Sequence, residues 1–145
     1  MLPNGYGEPT VVTHVDGVRF AIQVRTHEIL VDQTVRGGGL DSAPTPIELL
    51  GAALGSCIAY YVRQYLKTRD LPTDGLRVEV TQQKGSNPSR VEEFVTRVIL
   101  PPGISDEYLP IIERVVHTCP AHNTLRMGAS VEVSFDVLAG EPVKV

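Results

Sequence analysis

Two cysteines are all that this 145-residue chain carries. So few argue against a disulfide-stapled scaffold and read instead as thiols or a redox pair. A basic surplus is missing as well: thirteen Lys and Arg stand against seventeen Asp and Glu, for a net charge of −4. Ten of the basic residues are Arg, scattered along the whole chain without a basic tail, which argues against a general electrostatic hold on DNA or RNA. No long hydrophobic run is present. The longest uncharged apolar stretch, Leu49 to Val62, contains Gly51, Gly55 and Ser56 and falls short of the ~20 residues of a membrane span. The residues up to Pro9 offer neither the positive segment nor the apolar one of a signal peptide. A cytoplasmic protein without nucleic-acid or membrane partners is expected.

What is there fits one domain over residues 1–145, with 42% hydrophobic and 21% charged residues. A chain of this length buries roughly 68–70% of its unfolded surface and needs no metal or disulfide staple to fold. Pro3, Gly5, Gly7 and Pro9 make residues 1–9 a loose arm. From Thr10 to Asp32 the pattern predicts a three-stranded meander: Val11, Val12 and Val15, the turn Asp16-Gly17, alternating Val18, Phe20, Ile22 and Val24, then Ile29 to Val31. Residues 33–45, with Gly37-Gly38-Gly39, are a loop by composition.

A helix follows with clear punctuation. Thr45 stands as N-cap, Pro46 at the first helical position, and Glu48 three after Thr45 as in a capping box. It is expected to run to about Arg69. No charge lies between Glu48 and Arg63, so its first half should be buried all round, which a chain this short achieves most readily as an intertwined dimer. Gly51 and Gly55 invite the close approach of another backbone. Strands are predicted at Leu76–Gln82 and Val91–Leu100, the second with Val91, Val95, Arg97 and Ile99 on one face. A second helix begins at Ser105 and is interrupted or restarted at Cys119-Pro120. Val131, Val133, Phe135 and Val137 alternate as a closing strand. The fold class is α+β, in the order β-β-β-α-β-β-α-β.

The cysteines are the candidates for strong nucleophiles. Cys57 sits deep in the apolar helix, where a small hydrophobe is the plain reading. To act as a thiolate it needs a cation, and its own helix offers none before Arg63. Cys119, if the helix restarts there, occupies an N-cap whose free N–H groups favour a thiolate. His117, Cys119 and His122 with Cys57 give a weak zinc pattern without a CxxC partner, and no metal is expected. Arg36-Gly-Gly-Gly-Leu lacks the Lys-Ser/Thr ending of a phosphate loop, and Ser56 falls outside the glycines of a GxSxG elbow.

The stretch Pro46-Ile-Glu-Leu-Leu-Gly-Ala-Ala-Leu-Gly-Ser-Cys57, with Cys119-Pro-Ala-His-Asn some sixty residues later, resembles the OsmC/Ohr family of osmotically inducible and organic hydroperoxide resistance proteins. The resemblance runs from about Val11 to Val137. It implies an intertwined homodimer with the site at the subunit interface, and a thiol-dependent peroxidase needing no cofactor. By match to the motif, Cys57 is the peroxidatic cysteine and Cys119 the resolving one, with organic hydroperoxides as substrates and an external dithiol of the dihydrolipoyl type as reductant. The family also uses an Arg–Glu pair beside the cysteine. The position of its acid is held here by Ile47, and Glu48 stands one residue later, so Glu48 is either that acid displaced or a capping acid alone. Nine residues before Cys57 means about 900° of helix, roughly the opposite face. Arg36 matches the cation's place approximately, with Arg19 and Arg25 as substitutes. His122 reads as a tuner of Cys119 or as a solvent-facing residue, Ser56 as a donor near the sulfur or as packing, and Tyr60 and Tyr61 as pocket walls or core. The other function class is a divergent relative without peroxidase activity that binds a small apolar or thiol ligand.

Overall fold

In the computed structural model, which describes residues 7–144, the chain divides into a packed half and an open half. The packed half is built on α1 (Pro46–Thr68), which ends one residue short of the expected Arg69. Leu54, Ile58, Val62 and Leu66 recur every four residues and line one face of α1, all buried. That face lies on a two-stranded antiparallel ribbon of β4 (Arg77–Gly85) and β5 (Arg90–Ile99), and α2 (Leu109–Val116) and α3 (Pro120–Met127) pack against the same helix. Ile112 of α2 and Cys119 complete the buried cluster, with Leu76, Val78, Val80, Phe94 and Val98 around it.

The ribbon corrects the expected face of β5. Pairing passes from Gln83↔Glu93 to Lys84↔Val91, so Glu92 is an extra residue on β5. One inserted residue exchanges the two faces of a strand. Phe94, Thr96 and Val98 therefore turn inward, whereas Val95 and Arg97 are exposed.

The glycines of α1 do admit a close neighbour, and it is β4. A Cβ on Gly51 would run into the Gln82 amide, and one on Gly55 would sit 3.0 Å from Val80 Cγ2. Gln82 Nε2 donates to the Ile47 carbonyl at 2.8 Å, fastening the ribbon to the start of the helix.

The open half begins with the expected meander, β1 (Val11–Asp16), β2 (Arg19–Val24) and β3 (His27–Val31), antiparallel in that order. It makes no substantial packing contact with α1 or the ribbon. Successive strand residues point to opposite faces, yet Val11 and Val12 are 52% and 56% exposed and Ile29 and Leu30 42% and 43%, so much of each face is uncovered and Val31 alone of the strand residues is buried. The expected loose arm lies outside the described residues apart from 7–9, which form neither helix nor strand.

Two further expectations change. The first half of α1 is not buried all round: Ile47, Leu50, Ala52, Ala53, Ser56 and Tyr60 are exposed, because no other element among the described residues covers that face. The closing strand is not a strand either. Residues 131–138 have no ladder partner among the described residues, and Val131, Val133, Phe135 and Val137 are 71–95% exposed. Alternation records a face that could be buried; a strand also requires a neighbouring edge to receive its N–H and C=O groups. Among the described residues no helix is long and apolar enough to cross a membrane.

Candidate functional site

Cys57 and Cys119 come together from opposite ends of the packed half. Position 57 lies on α1 beside the core-facing row, where the thiol is half-buried and packs against the buried cluster that includes Cys119. Cys119 is fully buried. After α2 ends, His117 and Thr118 turn the chain, the Cys119 amide bonds back to the Val116 carbonyl at 3.1 Å, and Pro120 opens α3. The expected N-cap is therefore present, and the His122 N–H donates to Cys119 Sγ at 3.4 Å. Both cysteines are free thiols.

The cap does not make Cys119 a thiolate. Burial pushes its thiol above the ordinary value, and the neighbouring Cys57 thiol pushes the same way. The N–H groups of His122 and Ala121 pull downward and are outweighed, so desolvation wins over the helix terminus. Cys119 is held as a neutral thiol facing Cys57.

Around the pair, several open readings resolve. The Ser56 hydroxyl donates backward to the Ala52 and Ala53 carbonyls at 2.8 and 3.2 Å, which is helix packing rather than a bond to sulfur. Tyr60 and Tyr61 meet edge to face at 5.2 Å; Tyr61 packs on the core and Tyr60 is exposed. The His122 ring is half-buried rather than solvent-facing, stacked on His117 at 5.2 Å with its Nδ1 3.2 Å from Asn123 Oδ1. Among the described residues no three of His, Cys, Asp and Glu are grouped as a metal site requires.

Arg36 and Glu48 form a second group. Both line a cleft of about 720 Å³ between the start of α1 and the tip of the β4–β5 hairpin, and neither cysteine lines it. Glu48 completes the expected capping box, accepting from the Thr45 N–H at 3.1 Å while its own N–H donates to Thr45 Oγ1 at 3.2 Å. It stands about 13 Å along the axis from Cys57 and on the other side of α1. Within one chain, then, the four candidate residues separate into a thiol pair and an Arg–Glu cleft. Arg19 is spoken for, its Nε and Nη2 each donating to Asp16 at 2.6 Å, and Arg25 sits in the β2–β3 turn at φ 52°.

Asp32 is the residue that sequence reasoning missed. It is buried at the end of β3 and accepts from the N–H groups of Gln33, Leu40 and Ser42 and from the Ser42 hydroxyl at 2.7 Å. These bonds hold its carboxyl down at about 2. They also gather the loop that presents Arg36, whose 3₁₀ turn (Val35–Gly37) is capped by Thr34. An Asp ending a strand, with Ser ten residues on and glycines between, was the available signal.

Comparison with known proteins gives the same picture from another direction. The family described as OsmC-like protein matches residues 38–134. No curated protein sequence matches the chain. An osmotic stress induced and detoxification response protein from Psychrobacter arcticus superposes with a TM-score of 0.74 at 23% identity, covering 82% of this chain and 90% of that one. An OsmC like protein from Mycoplasma pneumoniae gives 0.71 at 18%, covering 84% and 89%. An organic hydroperoxide resistance protein from Elizabethkingia anophelis gives 0.56 at 21%, covering 83% and 90%. At these identities the structures share the fold.

Proposed function

The chain belongs to the OsmC-like protein family, and from that premise we propose that it is a thiol-dependent peroxidase reducing organic hydroperoxides to alcohols. One observation carries the proposal. Cys57 and Cys119 lie sixty-two residues apart in sequence, yet the fold brings both thiols to one place with no disulfide between them. Names of fold neighbours that are organic hydroperoxide resistance proteins support the substrate class.

The chemistry follows from the two sulfurs. The Cys57 thiolate attacks the distal oxygen of ROOH; an S–O bond forms, the O–O bond breaks, and the alkoxide takes up a proton and leaves as ROH. Cys119 then attacks the Cys57 sulfenic acid. The S–S bond forms as S–O breaks, and hydroxide departs with the Cys119 proton as water. An external dithiol, of the dihydrolipoyl type, supplies two electrons and two protons by exchange and restores both thiols. A neutral, buried Cys119 suits the second step, since it does not compete with Cys57 for peroxide.

The working unit is a homodimer in the cytoplasm. The uncovered face of α1, the bare meander and the exposed segment 131–138 are apolar surfaces that a second copy would cover. In such a dimer Arg36 and Glu48 of one copy complete the thiol site of the other, Arg36 as the cation for the thiolate and the peroxide, Glu48 as the acid that orients it. The separation of that cleft from the cysteines within one chain also favours the second reading, a binding protein without peroxidase activity.

One experiment separates them. Reduced protein is mixed with cumene hydroperoxide, free thiols are counted, and any new disulfide is mapped, with Cys57→Ser and Cys119→Ser as controls. Rapid loss of both thiols into a Cys57–Cys119 bridge, blocked by Cys57→Ser, is expected. Thiols that survive excess peroxide would leave the binding protein.

A further inference from the structure

Thiol–disulfide exchange is an in-line displacement, with the incoming thiolate, the attacked sulfur and the leaving sulfur in one row, so access decides which sulfur is attacked. Each sulfur of a Cys57–Cys119 bridge can be reached only from the side away from its partner. For Cys119 that side is the interior. The residue is 0% exposed and belongs to the buried cluster with Leu54, Ile58 and Ile112. Its sulfur is held at the head of α3 by the His122 N–H at 3.4 Å. For Cys57 that side leads outward. Its thiol is half-buried, and its neighbours on the same helix face, Ala53 four residues before and Tyr60 three after, are exposed.

Resting on the peroxidase reading, we propose that the external dithiol attacks the bridge at Cys57, expelling Cys119 as a thiolate into the N-terminus of α3. The bond from reductant sulfur to Cys57 forms as the Cys57–Cys119 bond breaks, and the electron pair goes to Cys119 Sγ. The second thiol of the reductant gives up its proton, which replaces the one Cys119 lacks. It then attacks the reductant sulfur bound to Cys57, closing the reductant's own disulfide and releasing Cys57 as a thiolate. The expelled charge meets conditions unlike those of the resting thiol. Burial still pushes Cys119 up, but Cys57, now tied to the reductant, no longer does, while the N–H groups of His122 and Ala121 pull down. The same row of atoms serves the oxidative step, in which Cys119 meets the Cys57 sulfenic acid from the core side and hydroxide leaves outward. One path at Cys57 thus carries peroxide in, hydroxide out and reductant in.

Trapping the mixed disulfide on the wild-type protein tests this. The bridge is closed with diamide, which needs no peroxide chemistry, and is mixed briefly with 2-mercaptoethanol, a monothiol that halts after the first attack. Excess N-ethylmaleimide stops the exchange and caps the freed thiol, and peptide mapping locates both labels. At the earliest mixing time mercaptoethanol is expected predominantly on Cys57 and maleimide on Cys119. An even split, or an excess of mercaptoethanol on Cys119, would overturn the proposal, as would failure of diamide to close the bridge. A parallel sample takes cumene hydroperoxide in place of diamide. Thiols that survive the hydroperoxide but close under diamide remove the peroxidase reading, while the map of the diamide-made bridge still decides which sulfur is attacked.

Discussion

The two halves of the molecule are built from similar apolar residues and treat them differently. In the packed half, Ile58, Val62 and Leu66 are at most 1% exposed. In the open half, valines and isoleucines of the same hydrophobicity line a meander that leaves much of both faces exposed, and Phe135 is 89% exposed. Local patterning is equally good in both. What differs is the supply of partners: α1 can reach β4, α2 and α3, while among the described residues the meander makes no substantial packing contact outside itself. A sequence thus specifies which faces are to be buried separately from which chain buries them.

Deleting side chains on the two sides sharpens this contrast most. Ile58→Ala should cost about 2–5 kcal/mol, read from urea midpoints at any protein concentration. Phe135→Ala should instead show a loss that grows on dilution, with the sedimentation profile moving from dimer toward monomer. Equal, concentration-independent losses at both positions would erase the distinction.

The next effect falls on the loop joining the halves. A Cβ at Gly39 would run into the Gln33 carbonyl and the Asp32 carboxylate, so Gly39→Ala should cost about 1–3 kcal/mol. It should also slow peroxide turnover by displacing Arg36, with unchanged turnover showing that the loop's order is irrelevant to activity. Smaller again, Thr45→Ala removes half the capping box and should cost about 1 kcal/mol in a thermal melt, while Glu48→Gln keeps an accepting oxygen and should be milder.

The mildest test is acid. Asp32 is held at about 2 against an ordinary 3.8, so its contribution is present above pH 3.8 and fades as pH falls toward 2. Amide exchange at Leu40 and Ser42 should accelerate across that window while the α1 amides stay protected. Asp32→Asn should abolish the pH step, and a step that persists in that variant would assign it to another group.

Much of this was legible from residues alone. Thr45, Pro46 and Glu48 marked the start of α1 because capping depends on chemistry within four residues, and Cys119-Pro120 marked α3 for the same reason. The motif around the cysteines named the family that the comparison then matched over residues 38–134. Features requiring distant partners were harder. Asp32 gathers donors from positions 33, 40 and 42, a set with no period to detect. The bulge at Glu92 reversed a face that alternation alone had assigned, and Val131 to Val137 alternate without meeting a strand edge among the described residues. Cys119 illustrates a contest of magnitudes: its position at a helix start was readable, but the depth of its burial, which decides its protonation, was not.

That same sulfur is also a piece of architecture. Cys119 Sγ accepts the N–H of His122, so the first turn of α3 hangs on an atom whose electron density changes with each chemical form it takes. Alkylation, oxidation or replacement by alanine alters or removes that acceptor. The proton on the His122 nitrogen is consequently a built-in reporter: its NMR chemical shift registers the state of the thiol from inside the backbone, with no label attached.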